Sequence, residues 1–173
     1  IDTSRIFATG DSNGGIFLYE LASDPRTASV FSAIAPICGL PSNGFNRGTL
    51  NPGMRCLQLE GTLDGFVYPF PNVDSDRTKS YGKVWGWYYS SIYNTTDLWA
   101  THKGLAARRE GGLKHLQVSN GAGLDCYGWS EDGTAEGAEL AECFYKAAHC
   151  YPPVTARSLV WRFFGFSVNG LVS

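Results

Sequence analysis

One five-residue pattern in this chain has the form that presents a nucleophile: Gly10-Asp11-Ser12-Asn13-Gly14, a G-x-S-x-G match. The apolar run Ile6-Phe7-Ala8 precedes it, and an amphipathic helical pattern (Ile16, Phe17, Tyr19, Leu21) follows. A serine on so tight a strand-to-helix turn has a strained backbone and a hydroxyl pushed out at the end of the sheet, with glycines flanking it where side chains would collide. The backbone N–H of Asn13, at the start of the helix, then points to where an oxyanion would form. Over the same residues, an ordinary turn whose serine caps the helix reads equally well. Partners in the right chain order decide between the two.

A nucleophilic serine needs a base to take its proton and an acid to orient that base. Three histidines are available, His102, His115 and His149. His102 falls in a polar stretch, and His115 lies inside a strand pattern, where a ring satisfied by its surroundings is the default. His149 follows a strand pattern from Glu139 to Lys146 and precedes the last helical pattern, about Thr155 to Phe166. Asp64 ends Glu60-Gly61-Thr62-Leu63-Asp64, just beyond a strand pattern from Arg55 to Leu59. Catalytic groups in open α/β sheets gather beyond the carboxyl ends of strands, although an aspartate before glycine is also a common turn residue. Taken together, the order Ser12, Asp64, His149 is that of α/β-hydrolase triads, with Ser12 as nucleophile, Asp64 as acid and His149 as base.

The elements that must position these groups alternate between strand and helix. The helix after Ser12 runs to about Ala22, stopping before Asp24-Pro25. Phe31 to Ile37 reads as a buried strand, and Pro41 to Gly53, rich in Gly, Asn and Pro, as a loop. Thr78 to Tyr93 reads as helical in part, continuing through Thr96 to Ala107, with Gly111-Gly112 breaking it. Leu113 to Val118 and Asp125 to Trp129 are short strand patterns. The fold class expected is α/β, a mostly parallel sheet with helices on both faces. In α/β-hydrolases several strands precede the nucleophile and carry the second oxyanion donor. Residues 1–173 are therefore expected to be the C-terminal part of one such domain, with its N-terminal strands missing. A sheet edge left uncovered in that way invites self-association.

Composition narrows the partners. A net charge of −2 from 16 acidic and 14 basic residues, without a basic cluster, leaves no electrostatic footprint for nucleic acid. No apolar run is long enough for a membrane span. Aromatic residues make up 14% of the chain, dense between Phe66 and Trp99; they are expected mainly to fill the core, though Trp85, Trp87 and Trp99 could also stack on sugars. The five cysteines, Cys38, Cys56, Cys126, Cys143 and Cys150, include no C-x-x-C pair, which argues against structural zinc and for an oxidising, secreted setting. Cys126 and Cys143 flank a turn-rich segment, so a hairpin would bring them together. Asn94-Thr95-Thr96 matches the N-glycosylation acceptor pattern.

The chain also resembles a known family. Arg5-Ile6-Phe7-Ala8-Thr9-Gly10-Asp11-Ser12-Asn13-Gly14-Gly15, Ala33-Ile34-Ala35-Pro36, Gly61-Thr62-Leu63-Asp64, His149-Cys150-Tyr151-Pro152 and Leu159-Val160-Trp161-Arg162-Phe163-Phe164 are similar to blocks of the polyhydroxybutyrate depolymerase and feruloyl esterase group of α/β-hydrolases. The stretch from Asp74 to Asn120 matches little. The resemblance implies secreted hydrolysis of carboxylic esters by Ser12, Asp64 and His149 without metal or cofactor. It also implies feruloyl or acetyl esters of plant polysaccharide, or polyhydroxyalkanoates, as substrates. A catalytically impaired, polysaccharide-binding relative is the alternative. Four positions depart from the pattern: Asp11 replaces an apolar or aromatic residue, Glu60 a histidine, and Ala147-Ala148 the glycines before the histidine. In tannase-like esterases of this kind a cysteine beside the serine bridges to one beside the histidine. Asp11 removes that option, which leaves Cys38 as a candidate partner for Cys150.

Overall fold

Ala33-Ile34-Ala35-Pro36-Ile37 carries no polar side chain and is buried at every position, as a strand covered on both faces must be. The computed structural model, which describes residues 2–43, 51–74, 76–106, 108–119 and 123–167, builds a layered α/β arrangement around it. Positions 44–50 of the Pro41 to Gly53 loop lie outside the described residues.

In chain order the elements are β1 (Phe7–Asp11), α1 (Asn13–Ser23), β2 (Ala33–Ile37), β3 (Arg55–Gly61), β4 (Lys79–Gly82), β5 (Trp87–Ser90), α2 (Ile92–Lys103), β6 (Lys114–Leu116), β7 (Leu124–Trp129), β8 (Leu140–Tyr145) and α3 (Val154–Phe163). Six strands form one sheet in the order β1-β2-β3-β8-β7-β6. The first four are mutually parallel, and β7 and β6 are added antiparallel. Strand β1 is at one edge, hydrogen-bonded only to β2 among the described residues.

Side-chain alternation divides the core between the two faces. Leu57 and Leu59 of β3 and Ala141 and Cys143 of β8 pack with Ala156, Leu159 and Phe163 of α3. Ile34, Cys56 and Leu140 point the other way, to Leu18 and Tyr19 of α1 and Trp99 of α2. Burying each large aliphatic or aromatic side chain contributes about 1.5–3 kcal/mol. A buried polar chain also locks α2 down. Tyr19 Oη donates to Gln58, Gln58 to Thr96 Oγ1, Thr96 to Glu142, and Arg108 holds both Glu142 oxygens at 2.7–2.8 Å.

Three sequence expectations change. Lys79 to Ser90 is an antiparallel hairpin rather than helix: its aromatic run suits either pattern, and hydrogen bonds to the segment after β2 hold it as strand. Its turn closes with Gly86 N–H donating to the Gly82 carbonyl at 2.9 Å, Gly86 having φ +71°. Helix begins only at Ile92, where Ser91 Oγ accepts the Asn94 N–H, and ends on Gly104 at φ 71°. Helix α3 likewise stops at Phe163. Gly165 takes φ +81°, its N–H donates to the Arg162 carbonyl and that of Phe166 to Trp161, the paired bonds of a Schellman stop. The Asn94-Thr95-Thr96 match falls within α2, with Thr96 buried in the polar chain, and so is not the surface loop that glycosylation sequences usually occupy.

Candidate active site

Strand β1 delivers the chain into Ser12 at φ 54°, ψ −120°, a conformation that costs a non-glycine residue about 1–3 kcal/mol. The surroundings fix it there. The Ser12 N–H reaches the Ile37 carbonyl at 2.9 Å and Cys38 Sγ at 3.3 Å, and the Ser12 carbonyl accepts the Ile16 N–H at 2.9 Å. A Cβ on Gly10 would lie 2.8 Å from the Gly14 carbonyl carbon, and one on Gly15 would lie 2.9 Å from the Ile37 oxygen. Gly14 itself has open space around it, which corrects the expectation that both motif glycines avoid collisions: the second steric requirement falls on Gly15. Asn13 opens α1, so its N–H has no partner within the helix and is available to an anion.

The three candidate residues meet beyond the carboxyl ends of three parallel strands, β1, β3 and β8. Ser12 Oγ lies 2.8 Å from His149 Nε2, and His149 Nδ1 lies 2.6 Å from Asp64 Oδ2. Because a carboxylate only accepts, Nδ1 carries the proton and Nε2 is free to accept from Ser12. Asp64 is buried, and its Oδ1 accepts the Phe66 and Val67 N–H groups at 2.8 and 2.9 Å. The aspartate and histidine loops are pressed together backbone to backbone. Leu63 N–H donates to the Ala147 carbonyl at 3.1 Å, and a Cβ on Gly61 would sit 2.6 Å from that same oxygen.

The other histidines are elsewhere. His102 Nδ1 is bonded to the Leu98 carbonyl in the last turn of α2, and His115 is exposed on β6 beside Asp125. Asp11 is exposed, so solvent screens its charge beside Ser12.

Both expected cysteine pairs are disulfides: Cys126–Cys143, directly opposite each other on β7 and β8, and Cys38–Cys150. Cys56 is free and buried. The Cys38–Cys150 bridge joins the end of β2 to the residue after His149, and Cys38 Sγ also accepts from the Ser12 N–H. Among the described residues, the three non-glycine positions with positive φ are Ser12, Cys38 and Cys150, at 54°, 45° and 53°. Backbone strain is thus concentrated at this site. The Cys38, His149 and Cys150 ligand atoms lie within 4.8 Å of one another, but the two sulfurs are bonded to each other and offer no thiolate to a metal ion.

Sequence reasoning missed what surrounds the relay. The Phe66 ring packs 5.0 Å from the His149 imidazole. Glu60, conspicuous only as a departure from the family pattern, is fully buried. One of its oxygens accepts the Gly39 N–H at 3.2 Å, and the other has no partner. Burial, reinforced by the neighbouring Asp64 charge, pushes the Glu60 carboxyl well above its ordinary 4.5, which favours its protonated form.

A pH dependence of stability follows. Folded Glu60 keeps its proton at pH values where the unfolded chain has released it. Its contribution is complete below about pH 4.5 and declines as pH rises toward the folded value, by at most about 1.4 kcal/mol per pH unit. Glu60→Gln removes that slope, so urea melts at successive pH values above about 4.5 should show the variant gaining on the parent protein until the folded carboxyl ionises. Parallel profiles would mean that Glu60 is ionised in the folded chain.

Compared with known proteins, the chain matches no family model and no curated sequence.

Proposed function

We propose that this chain is the nucleophile-to-histidine part of an α/β-hydrolase domain that hydrolyses carboxylic esters through an acyl-serine. The observation that carries this reading is the unbroken relay Ser12 Oγ, His149, Asp64, with the serine on a strained strand-to-helix turn. His149 Nε2 takes the Ser12 proton as Oγ attacks the ester carbonyl, and the imidazolium is stabilised by the buried Asp64. The Asn13 N–H faces the oxyanion that forms. Collapse passes the proton from Nε2 to the leaving alcohol, and water then repeats the sequence on the acyl-serine. No step needs a metal or cofactor. The resemblance to polyhydroxybutyrate depolymerases and feruloyl esterases favours polysaccharide-linked or polyester acyl groups. Two disulfides, with no described helix long and apolar enough to cross a membrane, are compatible with an extracellular protein, and we take it to be secreted.

Hydrolysis of p-nitrophenyl acetate and methyl ferulate, compared with Ser12→Ala, tests this reading. The expected result is a fall of roughly 10⁴-fold or more in kcat. Turnover unchanged by the substitution would overturn it. A second reading, a polysaccharide-binding protein without turnover, draws on the exposed Trp85 and Trp87. Retention on polysaccharide that survives Ser12→Ala, with no esterase activity in the parent protein, would favour it.

A further inference from the structure

The hairpin that replaced the expected helix stands beside the candidate site. Its turn lies against the aspartate loop: Val84 N–H donates to the Gly65 carbonyl at 3.1 Å, and a Cβ on Gly82 would overlap the Phe66 carbonyl oxygen. Its far edge is held by the segment after β2, with Asn43 N–H donating to the Tyr88 carbonyl and Ser90 N–H to that of Pro41. It is therefore fixed on both sides of the site.

From His149 a row of rings runs outward. The Phe66 centroid is 5.0 Å from the imidazole, and the Trp85 centroid is 5.9 Å from Phe66 at 73° between planes. The two rings meet at a steep angle, and Trp85 is 64% exposed. An exposed tryptophan held against Phe66, in a turn buttressed by backbone bonds, is a preorganised stacking platform.

The mechanism says which half of the ester meets it. Nε2 must deliver its proton to the leaving oxygen, so the alcohol half lies over the imidazole, while the carbonyl oxygen lies on the Asn13 side. A ring carried on the leaving oxygen is thereby directed across Phe66 toward Trp85. On this basis, and resting on the esterase reading above, we propose that Trp85 is the specificity-determining residue for the alcohol half. Its partner is the pyranose ring of a sugar, whose C–H face stacks on the indole. An open-chain hydroxyalkanoate offers no such face.

Two acetyl esters with the same acyl group separate the possibilities: ethyl acetate and a monoacetylated methyl xylopyranoside. Trp85→Ala should lower kcat/KM for the sugar ester about tenfold, through KM, and leave ethyl acetate unchanged, and Trp85→Phe should restore part of the loss. Both substrates form the same acetyl-enzyme, and kcat/KM reports only the steps up to its formation, so a defect in deacylation cannot produce the difference between them. Equal effects on the two esters, or none on either while Ser12-dependent turnover persists, overturn the proposal and leave the esterase reading standing. A separate readout is titration of Ser12→Ala protein with xylohexaose, followed by tryptophan fluorescence. Quenching that disappears with Trp85→Ala supports the platform even if the esterase reading fails, and quenching unaffected by Trp85→Ala counts against it.

Discussion

Asp64→Asn is expected to lower kcat on p-nitrophenyl acetate about 10⁴-fold while leaving the melting temperature nearly unchanged. The reason is in how the carboxylate is held. Oδ1 accepts two backbone N–H groups, from Phe66 and Val67, and only Oδ2 faces His149. An asparagine keeps its carbonyl oxygen where those two donors are, since turning the amide over would set N–H against N–H. Its NH₂ group then points at His149 Nδ1 and forces that nitrogen to be the acceptor. The proton moves to Nε2, which can no longer take one from Ser12. The loop keeps its backbone bonds, so stability changes little. A variant within tenfold of the parent rate, with a preserved melting profile, would show that His149 does not depend on Asp64 for its tautomer.

Replacing Cys38 and Cys150 together by serine is the second large effect, and it should be seen in stability and rate at once. The bridge closes a span of 112 residues, and releasing it from the unfolded chain should cost about 2–5 kcal/mol. Losing Cys126–Cys143, with a separation of 17, should cost roughly 3 kcal/mol at most. The two differ in activity. Cys38 and Cys150 are both held at positive φ, and without the bond their backbones relax toward negative φ, shifting His149, the residue before Cys150, while the substitution also removes the sulfur that meets the Ser12 N–H. A shift of about 1 Å between nucleophile and base costs on the order of a hundredfold. Esterase rates of the two double variants, measured below their melting temperatures, check this. A Cys38→Ser/Cys150→Ser protein as active as the Cys126→Ser/Cys143→Ser protein would reduce the first bridge to a simple staple.

The parts of the site that were legible are those written into short, local patterns. Ser12 was readable because a strained strand-to-helix turn needs glycine where the chain passes closest to itself, although the pattern did not show that Gly15, not Gly14, meets the obstacle. Asp64 and His149 were readable because each follows a strand, and parallel strands deliver their carboxyl ends to one edge. The hairpin at Lys79–Ser90 was not, since a dense aromatic run satisfies a helical period and a strand alternation equally well. Its docking on β2's exit segment, far away in sequence, decides the outcome.

By itself, the sequence determined the α/β class, the strand order in time, the nucleophile's turn and which three side chains could form a relay. All of these depend on neighbours within a few residues or on chain order. Tertiary structure alone decided that Ser12, His149 and Asp64 stand at 2.8 and 2.6 Å, that Cys38 closes on Cys150 against Ser12, that Glu60 is buried with its carboxyl pKa raised, and that Trp85 stands one ring beyond Phe66. Each of those depends on the distance between segments separated by tens of residues. That distance is set by the packing of both sheet faces at once, not by any stretch of the chain.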